Sequence, residues 1–292
     1  MRKIKKRKWG APKDGFYGWY FKCQSEEETI VFIASVCRTG KESTGRLQIA
    51  TKDGVWDVEY PGDCFMQRKG NIFLSDNRFG RSGIRFNITT ADLRAKGKLD
   101  FSDFTPLEQD IMGPFVLVPF MECRHSIISM RHKVNGSVTL NGRKYEFKDA
   151  YGYWEGDRGN SFPSEYLWTQ AAFDEGELSL SVAEVPLGGV EFTGVIGVVR
   201  YQGKEYRLAT YLGGAATELK NRKVTIKQGN MTLEAKMLDR GGKILSAPVN
   251  GEMSRAIHES LACNAAYRFT VDGKTLFEFK TDRASFEYEY KR

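Results

Sequence analysis

The chain has 292 residues, of which 41% are hydrophobic and 13% aromatic. That composition excludes a disordered or collagen-like protein and supplies enough apolar material for one large or two medium domains. Formal net charge is +7, yet six of the 44 basic residues fall in the first eight positions, leaving 38 against 37 acidic residues in the body; a body so balanced gives no reason to expect a specific nucleic-acid partner.

Residues 1–13 read as a basic flexible tail, and residues 2–8 could give weak contact with an anionic membrane. No apolar run is long enough to span a bilayer as a helix, and no apolar segment follows the basic start as in a signal peptide. The expected location is therefore cytoplasmic, peripheral to a membrane at most. "GWYFKCQ" reads as the opening of a first sheet, followed by strands in "VFIASVCRTG", "GRLQIAT" and "GNIFLSD". In "TPLEQDIMGP", Thr105 as cap, Pro106 at the first helical position and Glu108 closing a capping box predict one or two helical turns. "SVTLNGRKYEFKD" sets Val138 and Leu140 against Tyr145 and Phe147 across Asn141-Gly142, the strongest short hairpin signal.

"YLWTQAAF" echoes the aromatic pair and polar residue of "GWYFKCQ" and is expected to open a second sheet. Further hairpins follow around Gln202-Gly203, Gly229-Asn230 and Asp272-Gly273. The chain is thus all-β and antiparallel. A barrel closes its sheet edges and leaves room for a ligand, so barrels are preferred over a sandwich. The expected units are 14–158 and 159–292. The five cysteines, Cys23, Cys37, Cys64, Cys123 and Cys263, form no CxxC pair and read as free, mostly buried thiols.

Chemistry concentrates in "YGYWEGDRGNSFPSEYLWTQ", residues 151–170. On an extended strand Tyr153, Glu155 and Asp157 share one face and Trp154 takes the other. Two carboxyls so placed raise one another's pKa, whereas Arg158 would lower it, and either could pair with Arg158 in a structural salt bridge. The tryptophans could equally serve as core anchors, and His125 as a hydrogen-bonded structural residue. His125 and His132 fall on opposite faces of a continuous strand, so no metal is expected.

The run Glu155-Gly156-Asp157-Arg158-Gly159-Asn160-Ser161-Phe162-Pro163, then Trp168-Thr169-Gln170, resembles the tocopherol cyclase family. Phe16-Tyr17-Gly18-Trp19-Tyr20-Phe21-Lys22 is similar to the family's near-terminal motif, and Glu122 and His125 match a family Glu and His. The likeness spans roughly residues 14–290; Arg158 stands where the family carries Trp. A more distant resemblance leads to carotenoid hydratases and AttH-type proteins. Together these imply two tandem lipocalin-like β-barrel or half-barrel domains and an apolar, isoprenoid or prenylated ligand. They imply a proton-initiated cyclisation or hydration without metal or organic cofactor. Glu155 or Asp157 would be the acid and His125 the base. Trp19, Tyr153, Trp154, Tyr166 and Trp168 would supply π-faces, and Glu122, Arg158 and Gln170 further ligand contacts. The competing expectations are a non-catalytic carrier of a hydrophobic ligand and a peripheral binder acting through the basic terminus.

Overall fold

A computed structural model describes residues 14–118, 121–187, 190–239 and 242–291; the basic segment 2–8 lies outside them. The alternating sequence folds into two antiparallel sheets of eleven and ten strands. In the first, Gly15–Gln24 pairs on one side with Thr29–Thr39, followed by Glu42–Thr51 and Val55–Pro61. On its other side lie Arg143–Gly159, Cys123–Leu140, Arg94–Ser102, Gly83–Thr89, Asn77–Gly80, Asn71–Leu74 and Phe65–Arg68. The two outermost strands of that order, Val55–Pro61 and Phe65–Arg68, are joined by a single 3-10 turn at Gly62–Cys64. Edges so tethered must lie close, so the sheet wraps into a nearly closed barrel.

The second sheet repeats the plan. Tyr166–Phe173 lies between Gly176–Leu187 and the last strand, Lys274–Tyr288. The order continues outward to Lys204–Ala209 on one side and Ala215–Lys220 on the other, again joined by one 3-10 turn, Thr210–Leu212. "GWYFKCQ" and "YLWTQAAF" therefore hold the same topological place, each on a first strand flanked by its sheet's second and last strands. The architecture is two lipocalin-like β-barrels in tandem.

Turn chemistry accounts for the hairpins. Asn141 and Gly142 both have positive φ (48° and 87°), as do Gln202-Gly203 and Asp272-Gly273, and a type I′ turn requires that of both central residues. The helix expected from Thr105 does not form. The Thr105 N–H donates to the Arg131 carbonyl (2.9 Å) and its carbonyl accepts from the Met130 N–H (2.8 Å). That pairing, at a stretch where Cys123–Leu140 is bulged, holds Thr105 extended and spends the groups a helix start would use. The segment runs on as an irregular strap with only a 3-10 turn at Gly113–Leu117. Arg207 fastens it to the second barrel, donating to the carbonyls of Gln109 (2.9 Å) and Asp110 (2.6 Å).

Three apolar clusters result. Phe21, Phe32, Phe79, Leu99 and Trp154 belong to the one that fills the first barrel, and Leu180, Val199, Leu233, Phe269 and Phe286 to the one in the second. The third, which includes Tyr20, Tyr153, Tyr166 and Trp168, lies where the modules meet. All five cysteines are free, with Cys23, Cys37 and Cys263 buried. Among the described residues no helix is long and apolar enough to cross a membrane.

Candidate functional site

A largely apolar cavity opens at the junction of the two barrels. Register explains its walls. In the first sheet Ser35, Gly18, Asp157 and His125 are successive cross-strand neighbours on four adjacent strands, and all line the cavity. Two residues along, on the same face, Ile33, Tyr20 and Glu155 form the next row. The second sheet answers with Ile196, Ser181, Trp168, Glu287 and Glu259, another unbroken row across adjacent strands. Tyr20 and Glu259, 239 positions apart, thus meet because each is the inward member of an aligned register.

The polar groups are ordered. His125 Nδ1 lies 2.9 Å from Asp157 Oδ1, and its Nε2 lies 3.4 Å from Glu155 Oε2. Tyr153 donates to the same Glu155 oxygen at 2.5 Å. Two further phenols repeat the motif, Tyr20 donating to Glu259 and Tyr166 to Glu287, each at 2.5 Å. Burial pushes Glu155 up to about 8; His125 opposes this and Asp157 adds to it. Burial likewise raises Glu259 to about 7 and holds Glu287 well above its ordinary range. Burial works to lower His125, but Glu155 and Asp157 outweigh it and bring the imidazole up to about 9. Behind Glu259, burial lowers the Lys22 amine to about 7; its Nζ donates to the Arg283 carbonyl at 2.8 Å.

His125, Glu155 and Asp157 offer donor atoms within 4.8 Å of one another. The imidazole lies between the carboxyls, one ring nitrogen toward each, rather than beside them. Such a chain can relay a proton, and the same three residues offer donor atoms close enough together to hold a metal ion.

Of the expected site residues, Glu155, Asp157, His125, Trp19, Tyr166 and Trp168 lie on the cavity wall, and Tyr153 reaches it through Glu155. Four do not. Trp154 turns into the first barrel and stacks on Phe21 at 4.9 Å, as alternation along the strand requires. Arg158, next to Asp157 and so on the opposite strand face, is exposed, and among the described residues no ion pair joins it to Glu155 or Asp157. Glu122 is also exposed and contributes only its carbonyl, which accepts from Asn160 N–H at 2.8 Å. Gln170 is buried against Lys22 Nζ at 3.4 Å and lines no part of the cavity.

Sequence reasoning missed Ser35, Tyr20, Glu259 and Glu287. Glu259 had a readable signal: it is the one acid in the inward series Ile257, Glu259, Leu261, Cys263, Ala265.

Comparison with known proteins fits this architecture. The family described as Tocopherol cyclase-like matches residues 66–287. The chain is 26% identical over 157 residues to the chloroplastic tocopherol cyclase assigned in Oryza sativa subsp. japonica, and 25% identical over 157 residues to the chloroplastic tocopherol cyclase of Zea mays. Each match covers 50% of this chain but only 33% and 32% of those relatives, so the chain spans about a third of their length. Two solved structures share the fold. A protein assigned as AttH from Nitrosomonas europaea has a TM-score of 0.55 at 11% identity, over 99% of both chains. Kievitone hydratase from Nectria haematococca has 0.52 at 13% identity, over 94% of this chain and 89% of that one. With 66–287 of its sequence matched, the chain belongs to the tocopherol cyclase-like family.

Proposed function

We propose that the protein binds an apolar isoprenoid or prenylated small molecule and adds an oxygen nucleophile, a phenol of the same molecule or water, across its double bond. The observation that carries this reading is the Glu155 carboxyl, kept neutral near pH 7 on the wall of an apolar cavity. Both of its named partners meet Oε2, which leaves Oε1 to carry the acid proton.

The steps balance. Glu155 gives its proton to one alkene carbon, and the π pair forms the new C–H bond. The other carbon becomes a tertiary cation, facing the ring of Trp168, which Tyr20 fixes edge-on at 5.4 Å. A desolvated cation over an aromatic face gains about 2 kcal/mol without being captured covalently. The Glu155 carboxylate left behind is stabilised by Tyr153 and by the imidazolium that Asp157 holds in place. The oxygen nucleophile then closes on the cation, and its proton returns to Glu155. Each turnover consumes and produces no net proton, and no electrons are gained or lost.

The test uses 2-geranylphenol, with product read by mass spectrometry: cyclisation leaves the mass unchanged and hydration adds one water. Glu155→Gln keeps the shape and an acceptor for Tyr153 but has no acid proton. It should retain the ligand while losing turnover by about 10²–10⁴-fold. Undiminished turnover would refute the assignment, and wild-type binding without turnover would make the protein a carrier.

A further inference from the structure

Buried polar atoms in folded proteins are nearly always paired, and each orphan costs about 1–3 kcal/mol. Three side-chain atoms on the cavity wall break this rule, Ser35 Oγ, Trp168 Nε1 and His125 Nε2; the last still has the Glu155 carboxyl at 3.4 Å, whereas Ser35 and Trp168 have no polar partner. Ser35 is 1% exposed and Trp168 5%. They come from opposite sheets, Ser35 beside Gly18 in the first and Trp168 beside Glu287 in the second. Because Gly18 has no side chain, nothing of its own covers the Ser35 hydroxyl; even a Cβ built there would meet only the Ser35 Cβ, at 3.9 Å.

The chemistry of the two groups narrows what completes them. An indole N–H only donates, so its partner must be an acceptor, which rules out an ammonium group. A serine hydroxyl both donates and accepts. A carboxylate or phosphate would accept from both groups, but among the described lining residues the one cation, His125, is already paired with Asp157, so a buried negative charge would find no partner there. What remains is an uncharged oxygen. We propose that Ser35 and Trp168 are the oxygen-recognition pair of this cavity, clamping the hydroxyl or phenol head of a neutral lipid between the two sheets.

The proposal rests on the alkene-addition reading for its choice of ligand, but it assigns selectivity where that reading assigns turnover. Its test compares 2-geranylphenol with geranylbenzene, which differs only in lacking the hydroxyl, by isothermal titration. The intact protein should prefer the phenol by about 5–30-fold, the effect of one or two hydrogen bonds. Ser35→Ala deletes one polar group and keeps the apolar surface, whereas Trp168→Phe deletes the indole N–H together with part of the ring. Ser35→Ala should weaken phenol binding about fivefold or more and leave geranylbenzene unchanged, and Trp168→Phe should weaken the phenol about fivefold more than geranylbenzene, so that the preference collapses. Ser35→Ala should also raise Tm, since it removes an orphaned hydroxyl, which separates loss of recognition from loss of fold. Equal binding of the two probes by the intact protein, or equal weakening of both in the variants, overturns the proposal. Preference retained in the variants does the same, whatever Glu155→Gln does to turnover. Failure of both probes to bind the intact protein refutes this inference and the alkene-addition reading together.

Discussion

Stability should fall as pH rises from 5 to 6, the reverse of the usual acid-side behaviour. Glu155, Glu259 and Glu287 have folded-state values above the ordinary 4.5, at about 8, about 7 and well above normal. A carboxyl raised on folding holds a proton that the unfolded chain has released, so its stabilisation is full below 4.5 and is lost as pH climbs through the folded value. His132 works in the opposite sense. Burial between Phe101 and Phe104 lowers it from 6.5 to about 3, so the unfolded chain takes a proton that the folded one refuses. Three protons held against one refused leaves a difference of about two, or about 3 kcal/mol per pH unit as an upper bound. Water entering the cavity as a carboxyl ionises will reduce this, and a slope of about 1 kcal/mol per unit or more is expected. Lys22, lowered to about 7, opposes the trend only above that pH. Urea denaturation in half-unit pH steps measures the slope directly. Glu155→Gln removes one held proton and should cut the upper-bound slope by about 1.4 kcal/mol per unit. A flat or rising profile between pH 5 and 6, or an unchanged slope in the variant, refutes the claim that these carboxyls are neutral in the fold.

Gly18→Val should block the cavity without harming the barrel, because a Cβ at Gly18 meets only the Ser35 Cβ at 3.9 Å. Replacing a strand glycine is expected to leave stability unchanged or raise it by up to about 1 kcal/mol. Affinity for 2-geranylphenol should fall at least about tenfold, and unaltered affinity would place the ligand elsewhere. Arg207→Ala should release the strap, since its guanidinium donates to Gln109 and Asp110 and pairs with Glu205 at 2.9 Å. Hydrogen exchange across 105–117 should accelerate about 10-fold or more, as expected when two or three polar contacts worth about 1 kcal/mol each are lost. Exchange that does not change would show that the apolar contacts of Ile111 and Met112 hold the strap alone.

How much of this was legible in the sequence depended on the range of the interaction involved. Hairpins were readable because their cause is local: Asn141-Gly142 needs positive φ, and the alternation on either side fixes the register. The shared face of Tyr153, Glu155 and Asp157 followed from the two-residue period alone. That same period should have removed Arg158 from the site, because it cannot share a face with Asp157; a motif match retained it. The helix at Thr105 failed because its local capping signal was outweighed by pairing with Met130 and Arg131, which no local pattern announces. Glu259 and Glu287 were missed because their role depends on where Tyr20 and Tyr166 arrive, a question of global register.

The position of the cavity follows from what the two first strands do with their outer faces. A strand in a small barrel usually buries one face and exposes the other, as Gly83–Thr89 does. Gly15–Gln24 and Tyr166–Phe173 instead bury residues on both faces over much of their length. Their inner residues, Phe21 and Cys23 in one and Leu167 and Ala171 in the other, fill the barrels, whose interiors are thereby occupied. Their outer residues, Gly18 and Tyr20 against Tyr166 and Trp168, can be buried only by one another, so the modules must dock there. Glu155, Glu259 and Glu287, caught in this junction, lose solvation and are kept neutral at the cost of stability, each with a phenol donating to it. A fold optimised only to join two barrels would place leucines at these positions. Proton transfer to an alkene needs neutral acids in an apolar site, and the residues that make this junction costly are the ones that make such transfer feasible.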